Sequence, residues 1–390
     1  MYDLIIAGGG PCGSSAGFKA AERGLKTLVI EKKSFPRYKP CAGGLTRRAL
    51  KYLDFEIPER IKEKDIYGLR LCAKGKKVEK RSQSIIGITV TRSAFDDLLL
   101  NRAAAQGATI NTCEKVLNIR DNGNHLKIVT DRGSYFSRYA IIAEGARGQV
   151  MRHSSGMKKK YKCALSLVAE IEAENHDIDD RLSGVFEIYL DFCQGYGWFF
   201  PHDNYYSVGI WGAEESFKDP KAVMRDFVKK LGFEKIPKMR GQIIPLKEPR
   251  ENRGSRILSA GDAAGYIDPF LGEGISYAVI SGKIAADTIA DAVQKEGTLR
   301  QDLYTAACRN FTRNFGYARI MKETVLRFPS FFFDLAAAND SIAHRFLDIP
   351  AMKGQYPDFL FWLLPRIPKT LLSYYLLKIQ AHGPAYARRT

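Results

Sequence analysis

Near its start the chain alternates between apolar runs and one glycine-rich turn. Leu4-Ile5-Ile6-Ala7 reads as a buried strand, and an Ala-rich helix follows through Arg23 with Gly24 as its stop. Thr27-Leu28-Val29-Ile30-Glu31 is a second strand, so residues 2–31 form a β-α-β unit. From Ser34 to Gly44 the chain is rich in Pro, Lys and Gly without periodicity, and reads as a functional loop. Ile85–Val90 is strand-like, Ser93–Gln106 has helical spacing after a Ser cap, and short strands repeat through Ala143 around Asn122-Gly123 and Arg132-Gly133. From Cys163 to Gly212 the pattern turns β-rich and aromatic, predicting strands at Ala164–Ile171, Val185–Leu190, Gly197–Phe200 and Tyr206–Trp211. A helix at Lys221–Leu231 follows, and α/β character returns at Arg256–Asp262.

These shifts predict an α/β fold: a discontinuous Rossmann-type nucleotide-binding domain (1–60, 80–160 and 250–300) with an antiparallel-sheet substrate domain (60–80 and 160–250) inserted into it. Residues 301–390 form a helical C-terminal region, broken by Pro329, Pro350, Pro357, Pro365 and Pro368. No apolar run there approaches the roughly 20 residues needed to span a bilayer. Phe359–Leu364 and Leu371–Leu377 are short, carry Trp362, Tyr374 and Tyr375, and are flanked by Arg366, Lys369 and Lys378. Such segments suit a helix lying in a membrane interface, and equally one docked on the protein's own core.

Charge and cysteine usage narrow the setting. The chain has 60 Lys+Arg against 43 Asp+Glu, a formal charge of +17, which fits an anionic membrane surface or an acidic protein partner. Zinc-finger and RNA-recognition signatures are missing, so no nucleic-acid partner is expected; Lys158–Lys160 reads as a solvated loop. Seven scattered cysteines without a C-x-x-C, and six dispersed histidines, predict neither a disulfide framework nor a metal site. With no signal peptide read, the expected location is cytoplasmic, peripherally associated with the membrane.

The chemistry begins at Gly8-Gly9-Gly10-Pro11-Cys12-Gly13, a G-x-G-x-x-G between strand and helix. Gly8 permits the turn, Gly10 lets the backbone approach a pyrophosphate, and Gly13 lets helix and strand touch, while Glu31 ends the next strand where a carboxylate accepts from ribose hydroxyls. A second motif, Ala260-Gly261-Asp262 with Asp268-Pro269-Phe270-Leu271-Gly272-Glu273-Gly274-Ile275, precedes another Ala-rich helix.

With both motifs the sequence resembles the FAD-dependent para-hydroxybenzoate hydroxylase superfamily. The resemblance implies FAD as a non-covalent cofactor, Asp262 at its ribityl or pyrophosphate part, and Gly272, Gly274 and Ile275 facing the isoalloxazine. Arg92 matches an arginine that reaches the FAD, and Val116 a strand residue against the adenine. Ala143-Glu144-Gly145-Ala146-Arg147-Gly148 resembles the superfamily's Asp-Gly fingerprint with Glu in place of Asp, which weakens a nucleotide role for Glu144 and leaves it out of the candidate site, a surface glutamate being the plain alternative. The loop Lys39-Pro40-Cys41-Ala42-Gly43-Gly44-Leu45 is similar to the Pro-Cys-Gly loop of the geranylgeranyl reductases, which implies Cys41, Ala42 and Gly44 beside the flavin and Cys41 as a catalytic candidate. Tyr196-Gly197-Trp198-Phe199-Phe200-Pro201 is similar to their Y-x-W-x-F-P motif, which implies Tyr196, Trp198, Phe200 and Pro201 on the substrate side.

The implied activity is FAD-dependent saturation of C=C bonds in geranylgeranyl chains on a lipid, quinone or chlorophyll precursor, with NAD(P)H or ferredoxin as the electron donor. The alternatives are a flavin monooxygenase or halogenase, whose W-x-W-x-I-P pattern is mismatched at Tyr196 and Phe200, and a non-catalytic FAD electron-transfer or prenyl-lipid-binding module.

Overall fold

The computed structural model describes residues 1–146, 150, 163–192, 194–245, 256–295 and 297–368. Lys158–Lys160, Arg147 and Gly148, and Leu371–Leu377 with its flanking Lys369 and Lys378, lie outside the described residues. In chain order the first half comprises β1 (Tyr2–Ala7), α1 (Pro11–Glu22), β2 (Thr27–Ile30), β3 (Gly44–Thr46), α2 (Arg47–Leu53), β4 (Lys62–Ile66), β5 (Gly68–Ala73), β6 (Lys76–Arg81), β7 (Gly87–Val90), α3 (Arg92–Ala105), β8 (Thr109–Asn111), β9 (Val116–Asp121), β10 (Leu126–Thr130) and β11 (Ser134–Ile142). The second half comprises β12 (Cys163–Glu172), α4 (Asn175–Leu182), β13 (Val185–Tyr189), β14 (Gly195–Pro201), β15 (Tyr205–Ala213), α5 (Pro220–Lys230), β16 (Arg240–Pro245), β17 (Ile257–Ser259), α6 (Ile275–Gln294), α7 (Gln301–Thr312), α8 (Phe315–Val325), α9 (Pro329–Ala338), α10 (Asp340–Leu347) and α11 (Tyr356–Leu363).

The first sheet has the order β8-β2-β1-β11-β10-β9, with β17 beside β11. β1, β2, β8, β11 and β17 pair in parallel, which is why their apolar runs are continuous rather than alternating: both faces are covered. β17 joins β11 only after the chain has built the second sheet, so the nucleotide-binding fold is discontinuous. The helices α1 and α6 touch backbone to backbone; a Cβ on Gly282 would lie 2.3 Å from the Cys12 carbonyl oxygen.

The second sheet runs β16-β12-β15-β14-β13-β5-β6. It is antiparallel except where β5, arriving with β6 as a separate hairpin, pairs in parallel with β13. One face packs Phe199, Tyr206, Val208 and Ile210 on α5 through Met224 and Phe227. The opposite face carries Trp198 and Trp211 and is roofed by α8 to α11 through Met321, Leu335, Ile342, Tyr356 and Phe359. A small third sheet, β3-β7-β4, anchors the end of the Pro- and Gly-rich loop; its central strand β7 is the strand expected at Ile85–Val90, while β3 and β4 have no counterpart in the sequence pattern. In the Phe359–Leu364 segment, Phe359 and Leu363 enter the core, whereas Phe361 and Leu364 are 64% and 57% exposed. Among the described residues no helix is long and apolar enough to cross a membrane.

Candidate active site

The loop after β1 delivers the first glycine motif to the N-terminus of α1, with Gly10 as N-cap and Pro11 at the first helical position. Gly8 adopts φ of 110°, and a Cβ there would meet the Ala143 carbonyl oxygen at 2.5 Å. At Gly13 a Cβ would stand 1.7 Å from the Gly8 oxygen, so only glycine allows this helix to start where it does. Gly10 is different: its missing Cβ points at a cavity, with the Arg37 guanidinium 3.4 Å away. Glu31 is buried at the end of β2, where Oε2 accepts from Gly9 N at 2.8 Å and Oε1 from Lys33 N at 3.0 Å.

Cations gather over this cradle. Arg92 makes a bidentate pair with the fully buried Asp96, at 2.8 and 2.9 Å, and Arg37 reaches the same carboxylate at 3.0 Å. Burial opposes the Arg92 charge but Asp96 outweighs it and holds the guanidinium above its usual value, with the nearby Cys41 side chain adding to the rise. The Nη1 of Arg37 is buried and has no partner among the described residues. Lys39 is bonded to Gln242 Oε1, and burial, with the nearby Arg92 charge, brings its ammonium down to about 8 against the pull of Asp262. Burial in turn pushes the Asp262 carboxyl up, and Lys39 and Arg92 draw it back.

Asp262 lies against the start of α6, where a Cβ on Gly274 would be 3.0 Å from Oδ1. Gly274 caps α6 and Ile275 is its first residue, which leaves unpaired helix N–H groups at the cavity. Glu273 ties this turn to the Cys41 loop: Thr46 Oγ1 donates to Oε1 at 2.6 Å and Arg48 Nη1 to Oε2 at 3.1 Å. The loop before it is fastened to the C-terminal region by the buried Asp268, which accepts from Tyr356 Oη at 2.9 Å.

One cavity of about 800 Å³ joins all of these groups. From the Gly8–Gly10 turn and Glu31 it passes Arg92, Cys41 and Asp262, then opens into an apolar chamber between the second sheet and α8 to α11. Tyr196, Trp198 and Phe200 alternate onto the chamber face of β14, while Phe199 enters the opposite core. On β15, Trp211 lies 5.2 Å from the Tyr196 ring, with its buried Nε1 unpartnered among the described residues. Met321, Phe332, Ala336, Phe359 and Leu363 complete the far wall.

A family model described as an FAD binding domain matches residues 1–315. The chain is 31% identical to the geranylgeranyl diphosphate reductase of Rhodobacter capsulatus over 310 residues, which covers 76% of each protein. This chain belongs to the geranylgeranyl reductase family. Within the family it is also 27% identical to the digeranylgeranylglycerophospholipid reductase of Methanocaldococcus jannaschii, over 77% of this chain and 81% of that protein. Two solved structures share the fold: a geranylgeranyl bacteriochlorophyll reductase-like protein of Thermoplasma acidophilum (TM-score 0.74, 21% identity, 93% of this chain and 98% of that one) and the flavin-dependent brominase Bmp2 (TM-score 0.74, 19% identity, 94% and 99%). At those identities the likeness is one of fold.

As a member of this family the chain is an FAD-dependent oxidoreductase. The site fits the cofactor on its own terms: the space beside Gly10 is open, Arg37 Nη1 awaits an acceptor, and a carboxylate ends β2. Of the residues singled out by sequence, Gly8, Gly10, Glu31, Cys41, Ala42, Gly44, Arg92, Val116, Asp262, Gly272, Gly274 and Ile275 all line the cavity, as do Tyr196, Trp198 and Phe200. Gly13 does not, because its part is to seat α1 on Gly8; Pro201 does not either, because strand alternation turns it from the chamber. Glu144, left out of the candidate site on sequence, is half-buried and lines the cavity, and its carboxylate accepts from Val150 N at 3.1 Å. Arg37, Lys39, Gln242 and Trp211 escaped the sequence reading. Arg37 and Lys39 sit in the aperiodic loop, where only their charge beside Cys41 was a signal; Gln242 and Trp211 are brought in by sheet pairing.

Proposed function

We propose that the protein reduces isolated C=C bonds of a geranylgeranyl or related polyprenyl chain. The observation that carries this reading is the continuity of the cavity, with a dinucleotide cradle at one end and a chamber of aromatic and aliphatic side chains at the other. A polyprenyl chain offers almost no polar handle, so a binding site for it gains affinity from apolar area and shape. Relatives named for geranylgeranyl diphosphate and digeranylgeranylglycerophospholipid reduction support the same class of substrate. The mismatches at Tyr196 and Phe200 with the halogenase pattern set the brominase likeness aside as one of scaffold.

In this reading Glu31 accepts from the adenosine ribose, the Gly10 backbone, Arg37 and the α1 N-terminus hold the pyrophosphate, and Asp262 with the α6 N-terminus holds the ribityl and isoalloxazine side. Reduced FAD, recharged by NAD(P)H or a ferredoxin, supplies a hydride. An isolated alkene has no carbonyl to take up negative charge, so a proton must reach the other carbon as hydride arrives. The residues of the chamber exclude competing water, and Cys41, with Arg92 nearby, stands where the cradle meets the chamber. Anaerobic incubation of dithionite-reduced protein with a polyprenyl lipid extract tests the proposal: masses rising by hydrogen pairs support it, and an unaltered extract with FAD bound rejects it.

We further propose that α11 meets the membrane. The helix that walls the chamber with Phe359 and Leu363 turns Phe361 and Leu364 outward, beside Arg366 folded over the Trp362 ring at 4.8 Å. A bilayer-borne chain would then enter next to an apolar surface with a cation for anionic head groups. Flotation with anionic liposomes at low salt, lost on deleting residues 359–390, is the expected result.

A further inference from the structure

Behind the Cys41 loop lies a polar network of His202, Glu63, Thr91 and Tyr205, none of which lines the cavity; it reaches the cavity wall through the Ala42 backbone. His202, in the hairpin turn between β14 and β15, is 1% exposed and stacks on Tyr205 with ring centroids 4.2 Å apart and planes at 12°. Its Nδ1 is bonded to Glu63 Oε2, and its Nε2 lies 3.0 Å from the Ala42 carbonyl oxygen. Both partners are acceptors. The ring is thus held at both nitrogens, one by a side chain of β4 and the other by the backbone beside Cys41. Glu63 Oε1 accepts from Thr91 Oγ1 at 2.6 Å, and that hydroxyl is 3.1 Å from Tyr205 Oη, which leaves Tyr205 as donor to it.

The network joins the two pieces of chain that meet at Cys41. Ala42 follows Cys41, and Thr91 precedes Arg92, which lines the same cavity as Cys41 and lies close enough for their charges to interact. Gly43 closes the connection: at φ of 76° its carbonyl accepts from Val90 N at 3.0 Å, and a Cβ there would come within 2.5 Å of His202 Cε1. His202 thus fills the volume a side chain at residue 43 would need, and grips the neighbouring carbonyl.

We infer that His202, paired with Glu63, is a positioning residue that holds the Ala42 carbonyl and thereby sets the Cys41 thiol near Arg92 at the junction of cradle and chamber. Its importance for catalysis rests on the proposed prenyl reduction; its effect on the loop does not. The test is alkylation of Cys41 by iodoacetamide in the FAD-loaded protein, read by peptide mass spectrometry with the exposed Cys113 as internal reference. His202→Phe keeps the ring's bulk and removes both ring nitrogens, and Cys41 alkylation relative to Cys113 is expected to rise about tenfold, the scale of one lost hydrogen bond. His202→Gln, which retains a donor for Ala42, is expected to restore most of the protection, a rescue that bulk alone would not produce. If His202→Phe does not fold, Glu63→Gln, of equal volume, is scored the same way. A relative rate unchanged or lower in the folded variant overturns the inference. Prenyl turnover is a separate readout, in which His202→Phe lowers kcat with KM unchanged; loss of all turnover in the wild type would reject the proposed reaction and leave the positioning result standing.

Discussion

The two ends of the cavity are made of different material. At the cradle the contacts to be made are backbone N–H groups, glycine spaces and a few fixed charges: Gly10 at a helix start, Gly274 at another, Glu31, Arg37 and Asp262. At the chamber they are side chains from elements far apart in sequence, with β5, β13 and β14 on one wall and α8 to α11 on the other. Backbone recognition tolerates little substitution, because a Cβ in the wrong place collides with a carbonyl or a phosphate; an apolar wall can be rebuilt by any set of residues that fills the space. The cradle therefore sets which cofactor is held, and under the proposed function the chamber sets how long a chain can enter.

That contrast can be broken most severely at Gly10. Gly10→Leu places a side chain on the cavity, against the Arg37 guanidinium rather than in the protein's own backbone, so the fold is expected to survive while FAD affinity falls at least about a hundredfold, or ~2.7 kcal/mol. Equilibrium dialysis against FAD, with thermal melting of the apoprotein as control, checks it. Glu31→Ala removes one charge-assisted acceptor and should cost about 1.5–3 kcal/mol of FAD binding in the same titration.

The chamber is sharpened by the opposite kind of variant. Ala336 is 4% exposed and lines the far wall, so Ala336→Phe is expected to lower kcat/KM for a geranylgeranyl chain about tenfold, or ~1.4 kcal/mol, relative to a geranyl one. FAD retention should not change, and steady-state kinetics with the two chain lengths decides. Overpacking also costs roughly 1–3 kcal/mol of stability, which a melting curve will register.

The smallest effect lies where the two ends meet. Burial has lowered the Lys39 ammonium to about 8, so its charge is present below that pH and lost as pH rises through it. If that charge supports the anionic cofactor, the FAD dissociation constant rises a few-fold between about pH 7 and 9. Lys39→Gln should flatten the profile. Protein stability runs the other way: the folded state binds fewer protons than the unfolded chain above about 8, so the destabilisation from burying this cation is relieved as pH rises.

How much of this was legible follows the same division. The β-α-β unit, Glu31 and the second glycine motif are local patterns, and each names its own structure through spacing alone. The strand predicted at Gly197–Phe200 is found as Gly195–Pro201, and its period of two placed Tyr196, Trp198 and Phe200 on one face. What periodicity could not say was which face meets the cavity, because that depends on helices more than a hundred residues away. The same limit hid Trp211 and Gln242, brought together through Ser166 by cross-strand pairing. The Phe359–Leu364 segment read equally as core or as membrane surface, and the structure divides it: Phe359 and Leu363 in, Phe361 and Leu364 out.

The central claim is that a chain in the chamber receives a hydride from a cofactor in the cradle. Anaerobic stopped-flow mixing of the dithionite-reduced, FAD-loaded protein with a geranylgeranyl lipid, excess dithionite removed, tests it most directly. The account predicts reappearance of oxidised-flavin absorbance in step with a two-hydrogen mass gain in the lipid, and no reoxidation with the fully saturated analogue. Flavin that stays reduced in the presence of the unsaturated chain, or reoxidises equally with both lipids, would contradict it.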